Sequence, residues 1–526
     1  MSFLRNIRNV KLPNYEGTPY QYIYRATTLY DCPKIFGIFN TLNPAPRFSH
    51  PAGYAYDVRR TFTDQIHYIG CSDWEYITGS PYSDRLEGNN GNDILYGRGG
   101  ADILIGGTGN DLLSGDTGDD ILLGGKDEDV LNGGDGKDYL EGGDDDDILR
   151  GGSNDDQLIG GHGNDKLNGG DGRDFLDGGD GDDYLYGGNG DDSLDGGDGN
   201  DVFTMSKGHD FIFGGEGIDT YRTKLGRSSR VSLSEERQII DRNSSVVLIG
   251  IENLEGADRA DVLMGNDQDN LLRGMEGDDM LYGAGGNDLI EGGQGGDWID
   301  GGTGDDFLIG GTGDDIFLGK EGNDIIIGGT GMDAIYFSGE NNHVDLRISP
   351  GERQDTREGF DAIMDVENIH GGGGDDLITG NYQSNMLYGD QGNDVINGWS
   401  GSDWIYGGRG DDFIYAGPGY RNDTNYVHGE AGRDTIVAGG DSVDQMWGGE
   451  GRDTFQLTRG RGVAYINDFQ DGLDHITLFN AAGLDGRTRA MAVGRDAHIL
   501  LDGDLMAVVK NAVGSLQFDD TGTILF

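Results

Sequence analysis

Several things are scarce in this chain. It has 526 residues but only 38 Lys and Arg, against 95 Asp and Glu, which leaves a net charge of −57. So little positive charge excludes a nucleic-acid partner, whose phosphates need Lys and Arg. Cysteine is nearly absent. Cys32 and Cys71 cannot make a disulfide framework, and the sequence leaves open whether they form one bridge or stay buried thiols. No run of 18 apolar residues exists, so no transmembrane helix is expected. Residues Met1–Leu12 carry Arg5, Arg8 and Lys11 but no apolar stretch of signal-peptide length.

Catalytic motifs are missing too. There is no His-Glu-x-x-His, no Gly-x-Ser-x-Gly and no P-loop, and the chain is expected not to be an enzyme. Matches to Gly-x-Gly-x-x-Gly arise by chance in glycine this dense. Paired acids such as Asp119-Asp120 resemble glycosidase carboxylates, but their repetition argues for structural metal. His162 and His209 fall in repeat loops and read as solvated. His50 and His67 beside Cys32 and Cys71 are a remote candidate for a metal or thiol site.

What is present is glycine, 100 residues of it, together with aspartate. Low hydropathy with high net charge reads first as disorder. A repeat overrides that reading. From Gly79 to Arg222 the chain divides into 16 units of nine without an insertion. The sixth residue is Asp in every unit, from Asp84 to Asp219. The eighth is always apolar: Leu thirteen times from Leu86 to Leu194, then Phe203, Ile212 and Tyr221. The glycines permit positive φ and tight loops. Where the fourth position is not Gly it is Asp127, Asp145 or Asn154, residues that tolerate the left-handed region. Tyr82 breaks that pattern, so the first loop is expected to be irregular. Three residues with one inward side chain make a strand and six make a loop. Two units, 18 residues, then complete one turn of a parallel β-roll.

The pattern breaks at 223–255, resumes over 256–336, breaks at 337–370 and resumes at Gly371. The breaks are alike: Ile251-Glu-Asn-Leu254-Glu-Gly256 and Val366-Glu-Asn-Ile369-His-Gly371. Asn270 and Asn385 then replace the sixth-position Asp, giving a longer period of 115 residues.

The unit Gly-Gly-x-Gly-x-Asp-x-apolar-x resembles the calcium-binding nonapeptide of RTX proteins, over residues 79 to about 480. That resemblance implies an all-β fold: a parallel β-roll (β-solenoid) in three blocks, 79–222, 256–336 and 371–456. Connectors at 223–255 and 337–370 read as calcium-free coils or strands spliced into the roll, or as linkers. It also implies calcium between successive loops, held by carboxylates and loop carbonyls. Calcium takes six to eight oxygens of this kind. The candidate ligands in the first block are Asp93, Asp102, Asp111, Asp120, Asp129, Asp138, Asp147, Asp156, Asp165, Asp174, Asp183, Asp192 and Asp201. Those in the second are Asp279, Asp288, Asp297, Asp306, Asp315, Asp324 and Asp333. The third block adds Asp394, Asp403, Asp412, Asp434 and Asp453, with Asp376 at the same position. Stacked coils place Asp93, Asp111, Asp129 and Asp147 in one edge row, and Asp102, Asp120, Asp138 and Asp156 in the other. The bland reading is a solvated acidic face; strict phase argues against it. On the order of 20 ions are expected. EF-hand loops do not recur.

The ends differ. Residues 1–60 hold six of nine prolines, eleven aromatics and a net charge of +5. They read as a small basic, aromatic head, 1–78, that docks on the first coil. Residues 457–526 read as a β-rich cap, with a hairpin around Asp502-Gly503. By resemblance this region carries an uncleaved type I secretion signal. The function expected is a secreted structural or adhesive protein of a bacterial cell surface (S-layer, sheath, filament or matrix). Its expected partners are calcium, copies of itself, and anionic surface polysaccharide at the head. The alternatives are a small secreted enzyme acting on polysaccharide or protein, or a bacteriocin-like effector.

Overall fold

The computed structural model describes residues 34–37, 56–57, 66–70 and 74–525, interrupted at 225, 236–237, 242–243, 319–320, 339–340, 350, 421, 471, 479–487, 513–516 and 519–523. Cys32, Cys71, His50 and almost all of the head lie outside the described residues. All regular structure among the described residues is β. Among the described residues no helix is long and apolar enough to cross a membrane. The chain forms two compact units, Met1–Gln157 and Leu158–Phe526.

In the first unit alternate strands pair in parallel at an offset of 18 residues. Leu104 pairs with Leu122, and Leu113 with Leu131. This is the β-roll, with two strands per coil. The strands are longer than the three residues expected. Leu112–Thr117 and Val130–Asp135 run through positions seven to nine and on through the next unit's first three. Ladder pairing continues past the glycines, as Asp116 with Gly134 and Thr117 with Asp135. The second position carries the positive φ this needs, +122° at Gly107 and +72° at Asp116. The fourth-position exceptions Asp127, Asp145 and Asn154 also have positive φ, between 72° and 79°. Tyr82 does not, and its loop is built differently. Parallel stacking starts ahead of Gly79: Tyr68 pairs with Leu86, and Ile77 with Leu95.

The core is one column of side chains per sheet. Leu86, Leu95, Leu104, Leu113, Leu122 and Leu131 are fully buried. Each contributes about 2 kcal/mol by leaving water. The other inward position of each strand is the first glycine of the next unit. It must be glycine, because a β-carbon on Gly106 would overlap the Asp111 carboxylate and stand 2.8 Å from the Gly124 carbonyl.

The second unit repeats this architecture, and the breaks are coils within it. Ile212 pairs with Leu248 and Tyr221 with Leu254 across the first. Ile335 pairs with Ile369 across the second. Each break adds an antiparallel pair, Gln238–Asp241 with Ser244–Ile249, and Gln354–Asp355 with Phe360–Met364. On the outside of one sheet Tyr336, His370, Tyr388, Tyr406, His428 and Trp447 form a continuous stack, with centroids 4.0–5.0 Å apart. Near the C-terminus Thr488–Val493, Asp496–Leu501 and Asp504–Val509 form an antiparallel meander. Its Asp502-Gly503 turn has positive φ at both residues, as a type I′ hairpin needs. The last strand joins the roll beside Val463–Ile466.

Candidate metal centre

The sixth-position aspartates line up where strands meet loops. All are nearly inaccessible, at 5% exposure or less. Along the regular coils the backbone N–H of one aspartate goes to the Oδ1 of the aspartate one coil later. Asp84, Asp102, Asp120, Asp138 and Asp156 are joined in this way at 2.6–2.8 Å. Asp93, Asp111, Asp129 and Asp147 form the opposite row at 2.6–2.7 Å. These are the two rows expected from an 18-residue coil.

The second unit carries further rows. One runs Asp165, Asp183, Asp201, Asp219. Another runs Asp174, Asp192, Asp210. Beyond the first break come Asp261, Asp279, Asp297, Asp315 and Asp333, opposite Asp288, Asp306 and Asp324. Beyond the second, Asp376, Asp394, Asp412, Asp434, Asp453 and Asp474 make a row of six. Asp403 receives an N–H from Asn385 and gives its own to Asn425.

The arrangement is electrostatically poor without a cation. The Oδ2 atoms of Asp102, Asp111, Asp120, Asp129, Asp183, Asp279, Asp394 and Asp453 are buried with no hydrogen-bond donor. Buried acceptors are normally paired, because leaving one unmet costs about 1–3 kcal/mol. Burial pushes Asp102 up to about 8, and its row neighbours Asp120 and Asp84 add to the rise. Asp129 rises to about 8 and Asp111 to about 7, again through burial first, against the opposing pull of a backbone N–H. Asp183 and Asp403 reach about 8.

Unmet carboxylate oxygens beside backbone carbonyls are a hard-oxygen donor set, and it fits calcium. The Gly124 carbonyl and Asp111 Oδ2 share the space beside Gly106, and the same pair recurs at Gly115 with Asp120 and Gly133. Among the described residues no three His, Cys, Asp or Glu side chains converge on one point. A calcium shell here would therefore take its remaining oxygens from the backbone.

The rows also contain residues outside the set of candidate ligands. Asp84, Asp210, Asp219 and Asp261 hold the same position as the candidates. Glu252 accepts the Asp219 N–H at 2.9 Å, and Glu367 accepts that of Asp333 at 3.0 Å. Asp361 accepts that of Asp324 at 2.8 Å, and Asp474 that of Asp453 at 3.0 Å. The two glutamates had one signal, their shared place in Ile251-Glu-Asn and Val366-Glu-Asn. The histidines stand apart from the rows: exposed His162 meets Asp180 at 2.8 Å, and His209 meets Ser245 at 2.9 Å.

A search of curated proteins finds no match to this chain. Among solved structures, the extracellular lipase LipA from Serratia marcescens is similar over 65% of this chain, at 14% identity and a TM-score of 0.13. The chain spans 38% of that lipase's length. The profile of the RTX calcium-binding nonapeptide repeat matches residues 78–113, 114–149, 141–176, 168–203, 206–221, 255–290, 291–326, 309–344, 365–396, 388–420 and 421–455. With more than half of its residues inside that profile, the chain belongs to the RTX family of calcium-binding nonapeptide-repeat proteins.

Proposed function

We propose that the protein is a secreted, calcium-folded structural or adhesive component of a bacterial cell surface, and not an enzyme. The observation that carries this reading is the long series of buried carboxylates with an unmet oxygen. The candidate ligands that the sequence singles out, from Asp93 to Asp453 and without Asp210 and Asp261, are its proposed ligands. Bound calcium supplies the positive charge and coordination that these oxygens lack. On the order of 20 divalent ions would offset most of the −57 charge. At low cytosolic calcium the repulsion between carboxylates keeps the chain unfolded and exportable, which suits the type I route of RTX proteins. Outside the cell, metal binding and folding are one event.

Self-association is the proposed use of the folded roll. Supporting it, the second unit exposes large apolar side chains, among them Tyr382, Tyr420, Trp404 and Phe413. Exposed apolar surface is what association buries. The basic head is proposed to hold anionic polysaccharide. Adding calcium to the purified chain, then imaging it and assaying glycan turnover, tests the reading. Ordered sheets or filaments are expected. Soluble monomers that turn over glycan would sink it.

A further inference from the structure

The row acids differ in what meets their second side-chain oxygen. In some loops a donor four residues earlier reaches it. Ser206 Oγ donates to Asp210 at 2.7 Å, and the Ala257 N–H to Asp261 at 2.9 Å. The N–H groups of Asn266 and Asn381 reach the Oδ1 of Asn270 and Asn385 at 2.8 and 2.9 Å. In other loops that oxygen is buried and unmet. The backbone at the loop's second position decides between the two. None of Ser206, Ala257, Asn266 and Asn381 has positive φ, whereas Gly215 and Gly329, ahead of Asp219 and Asp333, have φ of +122° and +109°. Positive φ turns the peptide N–H away from the carboxylate, and the oxygen stays open.

Asp219 and Asp333 are the last open acids before the two breaks. Both are fully buried, and the Oδ2 of each has no donor. A regular next coil is missing, yet the surroundings are rebuilt from connector residues. The Gly250 carbonyl enters the space beside Gly214 and Asp219 Oδ2, and the Asp365 carbonyl that beside Gly328 and Asp333 Oδ2. Glu252 and Glu367 take the Asp219 and Asp333 N–H groups, as an aspartate does in a regular coil. One coil further on the pattern is reversed. Asn270 Nδ2 donates to the Glu252 carbonyl at 2.8 Å, and Asn385 Nδ2 to the Glu367 carbonyl at 2.8 Å. An amide hydrogen aimed at that carbonyl does locally what a cation would do.

We propose that Asp219 with Glu252, and Asp333 with Glu367, are two calcium sites spanning the breaks, and that Asn270 and Asn385 hold no ion although their rows run on to Asp288 and Asp403. The connectors are then not calcium-free. This rests on the calcium reading above, and the test separates the two. Bound calcium is counted on the full-length protein at saturating metal by equilibrium dialysis. Glu252→Gln and Glu367→Gln each bind one ion fewer than wild type, and the double variant two fewer. Asp261→Asn binds as many as wild type, because Ala257 already meets its oxygen and the chain itself uses Asn at 270 and 385. Unchanged counts in both glutamine variants, with a wild-type circular dichroism spectrum, overturn the proposal while leaving the calcium reading intact. A wild-type protein that binds no calcium overturns both. Should the glutamine variants not fold, anomalous diffraction from wild-type crystals grown with terbium decides. Metal beside Asp219 Oδ2 and Asp333 Oδ2 supports the sites. Metal along the rows but not there refutes them.

Discussion

The regular coils and the coils at the breaks follow the same inward pattern, yet some loops around the breaks meet their row residue where the regular loops leave it open. From Asp93 to Asp138 every row carboxylate keeps an unmet buried oxygen. Around the breaks Asp210, Asp261, Asn270 and Asn385 are met by Ser206, Ala257, Asn266 and Asn381. At Asp210 and Asp261 the difference lies in the loop's second residue rather than in the acid. It teaches that the family's aspartate is necessary for an open site but not sufficient. Loops with an unmet oxygen depend on an external cation, whereas the loops of Asp210, Asp261, Asn270 and Asn385 are held by the chain's own hydrogen bonds.

The largest expected effect of this contrast follows calcium removal. Hydrogen exchange under rising chelator should lose protection first in loops 93–138, and only later around 257–270. Simultaneous loss in both would erase the distinction.

Next in size is the pH response of the calcium-free protein. Burial raises Asp102 and Asp129 to about 8, above the 3.8 of a free aspartate. Between those values the folded state binds more protons than the unfolded one, so its stability falls as pH rises. The metal-free roll is therefore favoured below about pH 4 and loses this support as pH climbs through about 8. Dialysed, calcium-free protein should show more strand signal in circular dichroism at pH 5 than at pH 8. With calcium present the trend should reverse, because protons compete for the same oxygens. Strand content independent of pH without metal would contradict the open carboxylates.

A pair of glycine variants sharpens the contrast further. Gly106→Ala pushes a β-carbon into the Asp111 carboxylate and the Gly124 carbonyl, and should cost about 3 kcal/mol. Gly226→Ala in the first connector has nothing within 4 Å, so only its φ of +82° opposes the change, at about 1 kcal/mol. Denaturant unfolding in saturating calcium measures both. Equal losses would remove the special role of the repeat glycine.

The smallest effect concerns the aromatic stack, which crosses the second break through Tyr336 and His370 at 4.0 Å. Tyr388→Ala removes two stacked contacts and should cost about 1 kcal/mol. Calcium binding should not change, since the ring lies outside the rows.

Much of this was legible in the sequence. Leu104 and Leu122, or Asp102 and Asp120, stand 18 residues apart, and a fixed period becomes a column once each coil repeats the last. Strand length was not legible. Whether Asp116 and Thr117 continue a strand depends on whether the next coil offers Gly134 and Asp135 as partners. Asp261 was equally opaque: it matches the motif, and only its loop reveals the Ala257 N–H at its side chain.

By itself, then, the sequence determined the β-roll, its inward leucines and the rows, because these follow from local periodicity, and pointed to calcium through the resemblance of its repeat to the RTX nonapeptide. Tertiary structure alone decided the rest. Asp219 meets Glu252 across 33 residues and Asp333 meets Glu367 across 34. The aromatic stack joins residues at separations of 34, 18, 18, 22 and 19. Apart from the two 18-residue steps in the stack, such contacts have no period to read. They exist because closing each coil, whatever its length, returns the chain to the same strand position one layer further on.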